Sequence, residues 1–224
     1  MSLFKSPLLA AAFCLALTPA GAFDVEEILA NSTLLYAGVN PGFDQHRSTP
    51  AQLYFEFDLP DESDALLVRV RPENNVAYMT VQFAQPDGAL VETLGMLHVE
   101  VPEGATDDRL AALGHALSTI FFPMLTQQHS EANVMRVVPL TTGRYPAVEL
   151  LGRYQESRRG LIYVRMLGLL PPAGEASLVL YSTMNAAVLN PQTDTDLARS
   201  FGGHVANSLR FTARRDVGGE MVPF

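Results

Sequence analysis

Histidine and acidic side chains are the residue types in this chain that could hold a metal ion. His98 and Glu100 are two positions apart in a segment of alternating apolar and polar residues, so both would project from one face of a strand. His46, His129 or His204 could complete the set. Zinc or copper needs about three or four fixed donors, so two donors on one strand do not define a site. We therefore predict no resident metal or cofactor.

Two aspartates, Asp194 and Asp196, lie in the segment Thr193-Asp194-Thr195-Asp196. Carboxylate oxygens suit calcium, but this segment lacks the full set of oxygen donors that calcium takes. Its spacing instead resembles a capping box with Asp in place of Glu, which predicts the start of a helix. No signature of a serine hydrolase, a zinc peptidase, a P-loop or a dinucleotide fold is present, so no catalytic residue is assigned.

Arginine and tyrosine side chains indicate a binding surface on one predicted hairpin. If the strands on either side of the turn at 157–160 pair in even register, Arg153 lies opposite Tyr163 and Arg165 lies opposite Leu151. Arginine beside aromatic and aliphatic side chains is the composition of a binding hot spot. The alternative is a solvated sheet face, on which Arg stacks on Tyr for about 0.5–1 kcal/mol. We predict Arg153, Tyr163 and Arg165 as binding residues.

Residues 1–22 have the three parts of an export signal. A positively charged start precedes an apolar run at 7–17, and Ala20 and Ala22 place small residues before a cleavage site at Phe23. The apolar run is too short to cross a membrane, which takes about 20 helical residues. We expect a periplasmic or secreted protein with no stable membrane insertion after cleavage.

Composition narrows the possible functions further. The chain has a net charge of −9 at pH 7, and cleavage would remove its single cysteine and its single lysine. The remaining chain has fourteen arginines and twenty-four acidic residues, which gives a net charge near −10. A chain without thiols forms no disulfides and performs no thiolate chemistry. An acidic chain without a basic cluster is also unsuited to nucleic acid.

Hydrophobic periodicity predicts an α+β domain in which helices flank an antiparallel sheet. Period-two patterns form two meanders, and Thr106 and Thr193 begin two helices. The predicted strands are 54–59, 66–70, 77–83 and 97–101, followed by 134–140, 147–156, 161–169 and 177–184. The first helix carries an apolar stripe of Leu110, Leu113, Leu117, Ile120, Phe121 and Met124, and the second one of Leu197, Phe201, Val205 and Leu209.

We expect a single domain at 53–211. An N-terminal arm or loop at 23–52 would precede it, and a flexible C-terminal tail at 212–224 would follow it. About two hundred mature residues fit one domain with a full hydrophobic core.

Five short segments from about Leu94 onward carry a family resemblance. They are Val99-Glu100-Val101-Pro102, the helix after Thr106, Gly143-Arg144-Tyr145-Pro146-Ala147, Arg159-Gly160, and Asn207-Ser208-Leu209-Arg210-Phe211. In this order the segments resemble the PsbP-like superfamily, over somewhat more than half of the mature chain. The resemblance implies an α/β/α sandwich and a non-enzymatic role as a partner, an assembly factor or an exported accessory protein.

The sequence therefore favours an exported binding or accessory protein of the cell envelope, which acts through contacts with another envelope or secreted protein. A periplasmic hydrolase or metal-dependent enzyme is the first alternative, and a small-solute-binding protein is the second. The oligomeric state stays open.

Overall fold

The computed structural model describes residues 23–40, 42–43, 51–73, 77–189, 191 and 193–212. The predicted export signal with Ala20 and Ala22, the candidate metal ligand His46, and the predicted tail beyond residue 212 lie outside these ranges. Within them, no helix is both long and apolar enough to cross a membrane.

The described part of the chain contains five α-helices and ten strands. The helices are α1 (Val25–Asn31), α2 (Thr106–Ala116), α3 (Phe122–Thr126), α4 (Asp194–Ala198) and α5 (Phe201–Ser208). The strands are β1 (Leu34–Val39), β2 (Tyr54–Pro60), β3 (Leu67–Pro72), β4 (Ala77–Ala84), β5 (Leu90–Glu100), β6 (Ser130–Thr142), β7 (Tyr145–Glu156), β8 (Gly160–Leu169), β9 (Ala176–Asn185) and β10 (Arg210–Thr212).

Two antiparallel sheets organise these strands. Seven strands form the large sheet in the order β3-β4-β5-β9-β8-β7-β6, and three form a small sheet in the order β1-β2-β10. The helices α2 and α3 lie on one face of the large sheet, which we call the α2 face. The small sheet and α5 lie on the other, which we call the α5 face. The expected α+β class with an antiparallel sheet between helices is confirmed, and the third layer also contains strands.

Each face of the large sheet buries its own apolar cluster. The cluster on the α5 face joins aromatic rings from the small sheet, β4 and α5, including those of Phe55, Phe57, Phe83 and Phe201. The cluster on the α2 face is mostly aliphatic and includes Leu113 and Leu117 from the helix side. Burying one large apolar side chain contributes about 1.5–3 kcal/mol, so both clusters are major sources of stability.

The amino-terminal elements differ from the sequence prediction. The segment 23–52, expected as an arm or loop, begins with the short helix α1 and also contains the strand β1. Asp24 caps α1 by accepting hydrogen bonds from the backbone N–H groups of Glu26 and Glu27 at 3.0 and 3.1 Å. The strand β1 pairs with β2. Because β2 pairs with β1 and β10, it leaves the large sheet and is not part of the first meander.

The two predicted helix starts are capped in different ways. The first begins at Thr106 as expected, but its N-cap is Ala105 and no side chain caps it. The second has the predicted capping box, in which Asp196 N–H donates to Thr193 Oγ1 at 3.2 Å and Thr193 N–H donates to Asp196 Oδ2 at 2.8 Å. The helix then breaks, and Ser200 caps a separate helix α5.

Candidate functional site

A π-helical turn at Leu117–Phe121 joins α2 to α3. A π turn holds one more residue than an α turn, so the next core side chain comes five positions after Leu117. That side chain is Phe122, which is 4% exposed, whereas Ile120 is 57% exposed and Met124 is 56% exposed. The predicted stripe is therefore right at Leu110, Leu113 and Leu117 and wrong at Ile120 and Met124, with Phe121 only partly buried.

Two glycines of the large sheet let these helices pack closely. A methyl group on Gly168 would lie 2.5 Å from Leu113 Cδ2, and one on Gly152 would lie 2.4 Å from Phe122 Cε2. The helical side chains thus rest directly on the backbones of β8 and β7. This packing confines α2 and α3 to the β6-β7-β8 half of the α2 face, and within the described ranges no helix covers the other half.

A groove of about 430 Å³ opens where the helices end. Its floor comes from β4, β5, β8 and β9, and its wall comes from the π turn, α3 and the residues that follow them. The lining is mainly apolar and consists of Ala77, Leu97, Phe121, Met124, Leu125, Gln127, Gln128, His129, Met166, Val179 and Tyr181. The exposed Ile120 lies one helical turn before Met124, which adds apolar surface beside the groove.

Tyr181 forms one end of this groove. Its ring lies flat over Gly95, where an added methyl group would be only 2.2 Å from the ring carbon Cζ. Burial raises the pKa of the Tyr181 phenol; the charge of Glu73 acts in the same direction, and a hydrogen bond with Thr80 acts against it. The phenol therefore stays protonated at neutral pH and can donate a hydrogen bond.

A stacked aromatic pair includes His129, which also lines the groove. The His129 imidazole stacks on the Tyr154 ring with centroids 4.3 Å apart and planes at 16°. Burial raises the pKa of Tyr154. Nearby, Arg159 donates from Nε and Nη2 to the Glu156 carboxylate at 2.9 and 2.5 Å, which lowers the pKa of Glu156. The hairpin end of β7 and β8 is thereby fixed beside the groove.

The structure brings together the predicted hairpin residues in the predicted register. Arg153 pairs with Tyr163, and Arg165 pairs with Leu151. Their side chains project from the α5 face. Arg153 is exposed, and Tyr163 is half-buried. A binding role for this surface stays a prediction.

Arg165 is engaged inside the protein. Its Nε donates to the Glu149 carboxylate at 2.7 Å, and its Nη1 donates to the carbonyl of Leu197 at 3.2 Å. Arg136 donates to the second oxygen of the same carboxylate at 2.6 Å. Glu149 is 3% exposed and Arg165 is 11% exposed, so this three-residue ion pair is largely shielded from water.

Glu92 is a fully buried carboxylate beneath the start of α5. It accepts hydrogen bonds from the backbone N–H groups of Phe201 and Gly202, both at 3.0 Å, and from the hydroxyl of Ser182. Burial raises the pKa of Glu92, while these three donors and the charge of Arg165 act in the opposite direction. Glu92 therefore serves as a long-range cap for α5.

The candidate metal ligands do not converge. His98 and Glu100 lie on one face of β5, where the His98 ring centroid is 5.5 Å from that of Tyr78. His129 stacks at the groove, and His204 lies in α5, where burial lowers its pKa. In the part of the chain that the structure describes, no three His, Cys, Asp or Glu side chains are grouped as metal ligands.

Sequence reasoning missed the groove because it assumed regular α-helical spacing. The apolar run Ile120-Phe121-Phe122 was the available signal, since three consecutive apolar residues leave the register of a stripe undecided. The contribution of Tyr181 had no local signal, because its contact with Gly95 crosses between two strands.

Several solved structures are similar to this chain in the arrangement of their helices and strands. LpqN of Mycobacterium tuberculosis, which is involved in cell envelope biogenesis, matches with 14% identity and a TM-score of 0.47 over 86% of this chain and 99% of that one. Cyanobacterial PsbP from Synechocystis sp. PCC 6803 matches with 13% identity and a TM-score of 0.48, over 81% and 94%. The Ran-binding protein Mog1p of Saccharomyces cerevisiae matches with 7% identity and a TM-score of 0.41, over 80% and 95%.

All three matches have TM-scores below 0.5 and identities of 14% or less, so they are likenesses in overall arrangement only. No protein-family model matches the chain, and no curated protein matches it either.

Proposed function

We propose that this protein is an exported, non-enzymatic accessory protein of the cell envelope, which binds another envelope protein through the groove on its α2 face. The observation that carries the proposal is the apolar groove beside the π turn. Binding sites combine a concave apolar surface with a few polar groups, and the groove has both. The sequence features of residues 1–22 support export.

Exposed apolar side chains beside the groove support a protein as the partner. Ile120 and Met124 are each more than half exposed, although the chain could have placed polar residues there without disturbing its core. Methionine adapts its shape to different partners and is over-represented on binding surfaces. Apolar surface that borders a cavity is typical of an interface in which one anchor side chain is buried.

The test is site-specific photo-crosslinking in intact cells. A photoreactive amino acid replaces Ile120 or Met124 at the groove, and Tyr36 on β1 serves as the control because its side chain is 65% exposed on a different layer. We expect the two groove positions to give an adduct with the same envelope protein, identified by mass spectrometry, and the Tyr36 position to lack it. No adduct from either groove position, or the same adducts from all three positions, would contradict the proposal.

A small-solute-binding protein is the second candidate, because the groove volume of about 430 Å³ also suits a small molecule. Thermal unfolding of the purified mature protein against pooled periplasmic metabolites separates the two. A solute that raises the midpoint in the wild type but not in a Met124→Asp variant would favour this candidate.

A further inference from the structure

Two arginines lie on the uncovered half of the α2 face. Arg71 pairs with Thr80, and Arg69 pairs with Gln82, so both arginines project from the same face as the groove. Both are exposed, and neither forms an ion pair or a hydrogen bond with another residue that the structure describes. The Glu73 carboxylate lies on the same face, where it accepts a hydrogen bond from Thr80 at 3.5 Å, so the two arginines outnumber the acid on this part of a chain with a net charge of −9.

A single row of paired residues connects these cations to the groove. Arg71 pairs with Thr80, Thr80 with Gly95, and Gly95 with Tyr181, whose next partner is Met166 in the groove floor. Neighbouring strands are about 4.8 Å apart, so the three steps from β9 to β3 span about 14 Å. An extended peptide covers that distance in about four residues.

The surface between the groove and the arginines is polar. Gln82 and Thr93 pair with each other on this face, are half-buried, and make no side-chain hydrogen bond with another described residue. The Tyr181 phenol adds a donor at the groove end. These groups suit a peptide backbone, which needs hydrogen-bond partners, better than an acyl chain, which would leave them without one.

We infer that the occupant of the α2 face is an extended, acidic segment of a partner protein, with a large apolar side chain in the groove and one or two carboxylates about four residues away at Arg69 and Arg71. This inference rests on the proposed function and adds the chemistry of the partner. Guanidinium groups bind carboxylates in a bidentate manner, so they supply both charge and orientation.

The test uses fluorescently labelled synthetic peptides and the purified mature protein. The acidic probe is Phe-Ser-Thr-Ser-Asp-Asp, the basic twin ends in Lys-Lys, and the spacing control is Phe-Asp-Asp-Ser-Thr-Ser. We expect fluorescence polarisation to show the acidic probe binding about tenfold more tightly than its basic twin at low salt, with a preference that declines as salt screens the charges. The spacing control should bind more weakly than the acidic probe.

Variants of the arginine pair and of the groove test which part of the surface binds which part of the peptide. The double variant Arg69→Gln/Arg71→Gln should lose the preference for the acidic probe, whereas the matched pair Arg144→Gln/Arg158→Gln, also exposed, should keep it. Met124→Asp should weaken both peptides. All four positions are exposed arginines and the fifth is an exposed methionine, so these variants should fold, which circular dichroism checks.

Several results would overturn the inference. They are equal binding of the acidic and basic peptides, no binding of the acidic probe, an unchanged preference in Arg69→Gln/Arg71→Gln, and binding of the anionic amphiphile myristate in the groove in place of the peptide. The crosslinking from Ile120 and Met124 is independent of peptide charge. A positive crosslinking result beside any of these outcomes would leave the proposed function in place and reject only the acidic partner.

Discussion

Charged side chains on the two faces of the large sheet differ in whether they have partners within the protein. On the α5 face, the buried carboxylates of Glu92 and Glu149 are both held by donors from within the protein. On the uncovered half of the α2 face, Arg69 and Arg71 have no such partner among the described residues, and an apolar groove lies on the same surface. The α5 face is therefore an internal interface, whereas the proposed binding surface lies on the α2 face.

The two faces of the large sheet also differ in packing. On the α5 face, aromatic rings from two layers close the interface, as in the stacked pair Phe83 and Phe201 with centroids 4.4 Å apart. On the α2 face, the helices cover only one half, and the rings of Phe121 and Tyr181 border an open groove over the β5 and β9 part. Substitutions at the packed positions of either face should therefore lower stability more than substitutions at the exposed positions beside the groove.

The largest expected effect is at the buried ion pair of the α5 face. Arg165→Leu leaves the buried Glu149 carboxylate without one of its two arginines, and we expect the free energy of unfolding to fall by about 3–5 kcal/mol. Urea denaturation measures the loss. The matched control is Arg199→Leu, whose pair with Glu26 is more than half exposed on both sides, and which should cost less than about 1 kcal/mol. Equal losses in the two variants would refute the contrast.

A comparable effect on the α2 face tests the π turn. Phe122→Ala removes a ring that is packed on Gly152, and we expect a loss of about 3–5 kcal/mol. Ile120→Ala should change stability by no more than about 0.5 kcal/mol, because that side chain is mostly exposed. If Ile120→Ala proved the more damaging in thermal or urea unfolding, the helix would have regular α spacing and the groove wall would be different.

These packing contrasts show what the sequence could and could not predict. The register of β7 and β8 could be predicted because the short turn between them ends in a glycine, Gly160. Glycine readily adopts the positive φ that such a turn requires, and φ is 78° here. Once the register is set, the face on which each side chain lies follows from whether its residue number is even or odd.

Other features depend on distant residues. The last helix was predicted as one segment, and its break after Ala198 is stabilised by Glu92, whose contact with Phe201 spans 109 residues of sequence. Gly202 is needed at this point, since a methyl group there would lie 2.6 Å from Glu92 Oε1. Local patterns carry no information about such a cap. The groove was hidden for the same reason, because its floor combines strands from both meanders.

An intermediate effect is expected at Glu92, and it should depend on pH. Because burial raises the pKa of Glu92 in the folded state above its ordinary 4.5, the folded protein holds a proton that the unfolded chain has lost at intermediate pH. This contribution to stability is complete below pH 4.5 and is lost as the pH rises through the folded-state pKa. Wild-type stability should therefore carry a downward slope in that range.

Glu92→Gln should remove this slope. The amide also turns one N–H group toward the donors of Ser182, Phe201 and Gly202, which should lower the free energy of unfolding by about 1–3 kcal/mol. Urea midpoints measured from pH 4 to pH 8 should thus differ most between wild type and variant at the acidic end. Glu103→Gln, at an exposed position, is the control and should follow the wild type throughout. A constant difference across the range would contradict the assignment.

The smallest expected effect concerns the ring of Tyr181. Gly95→Ala places a methyl group where that ring lies, so we expect the ring to move and stability to fall by about 1 kcal/mol. In a Tyr181→Ala background the same substitution should cost almost nothing, since the clash is gone. A double-mutant cycle by urea unfolding measures this coupling, and additive effects would show that the ring does not lie over Gly95.

The place of β9 in the large sheet has a consequence for how the protein folds. Strands β3 to β5 and strands β6 to β9 are two meanders that can each form from local contacts, but the pairing of β5 with β9 joins residues as far apart as Glu92 and Met184, which are separated by 92 positions. Closing such a long loop is entropically costly and slows folding. The groove floor, where Leu97 meets Val179 and Gly95 meets Tyr181, lies along this junction. The binding surface should therefore be among the last parts of the molecule to form, and neither meander alone would have it.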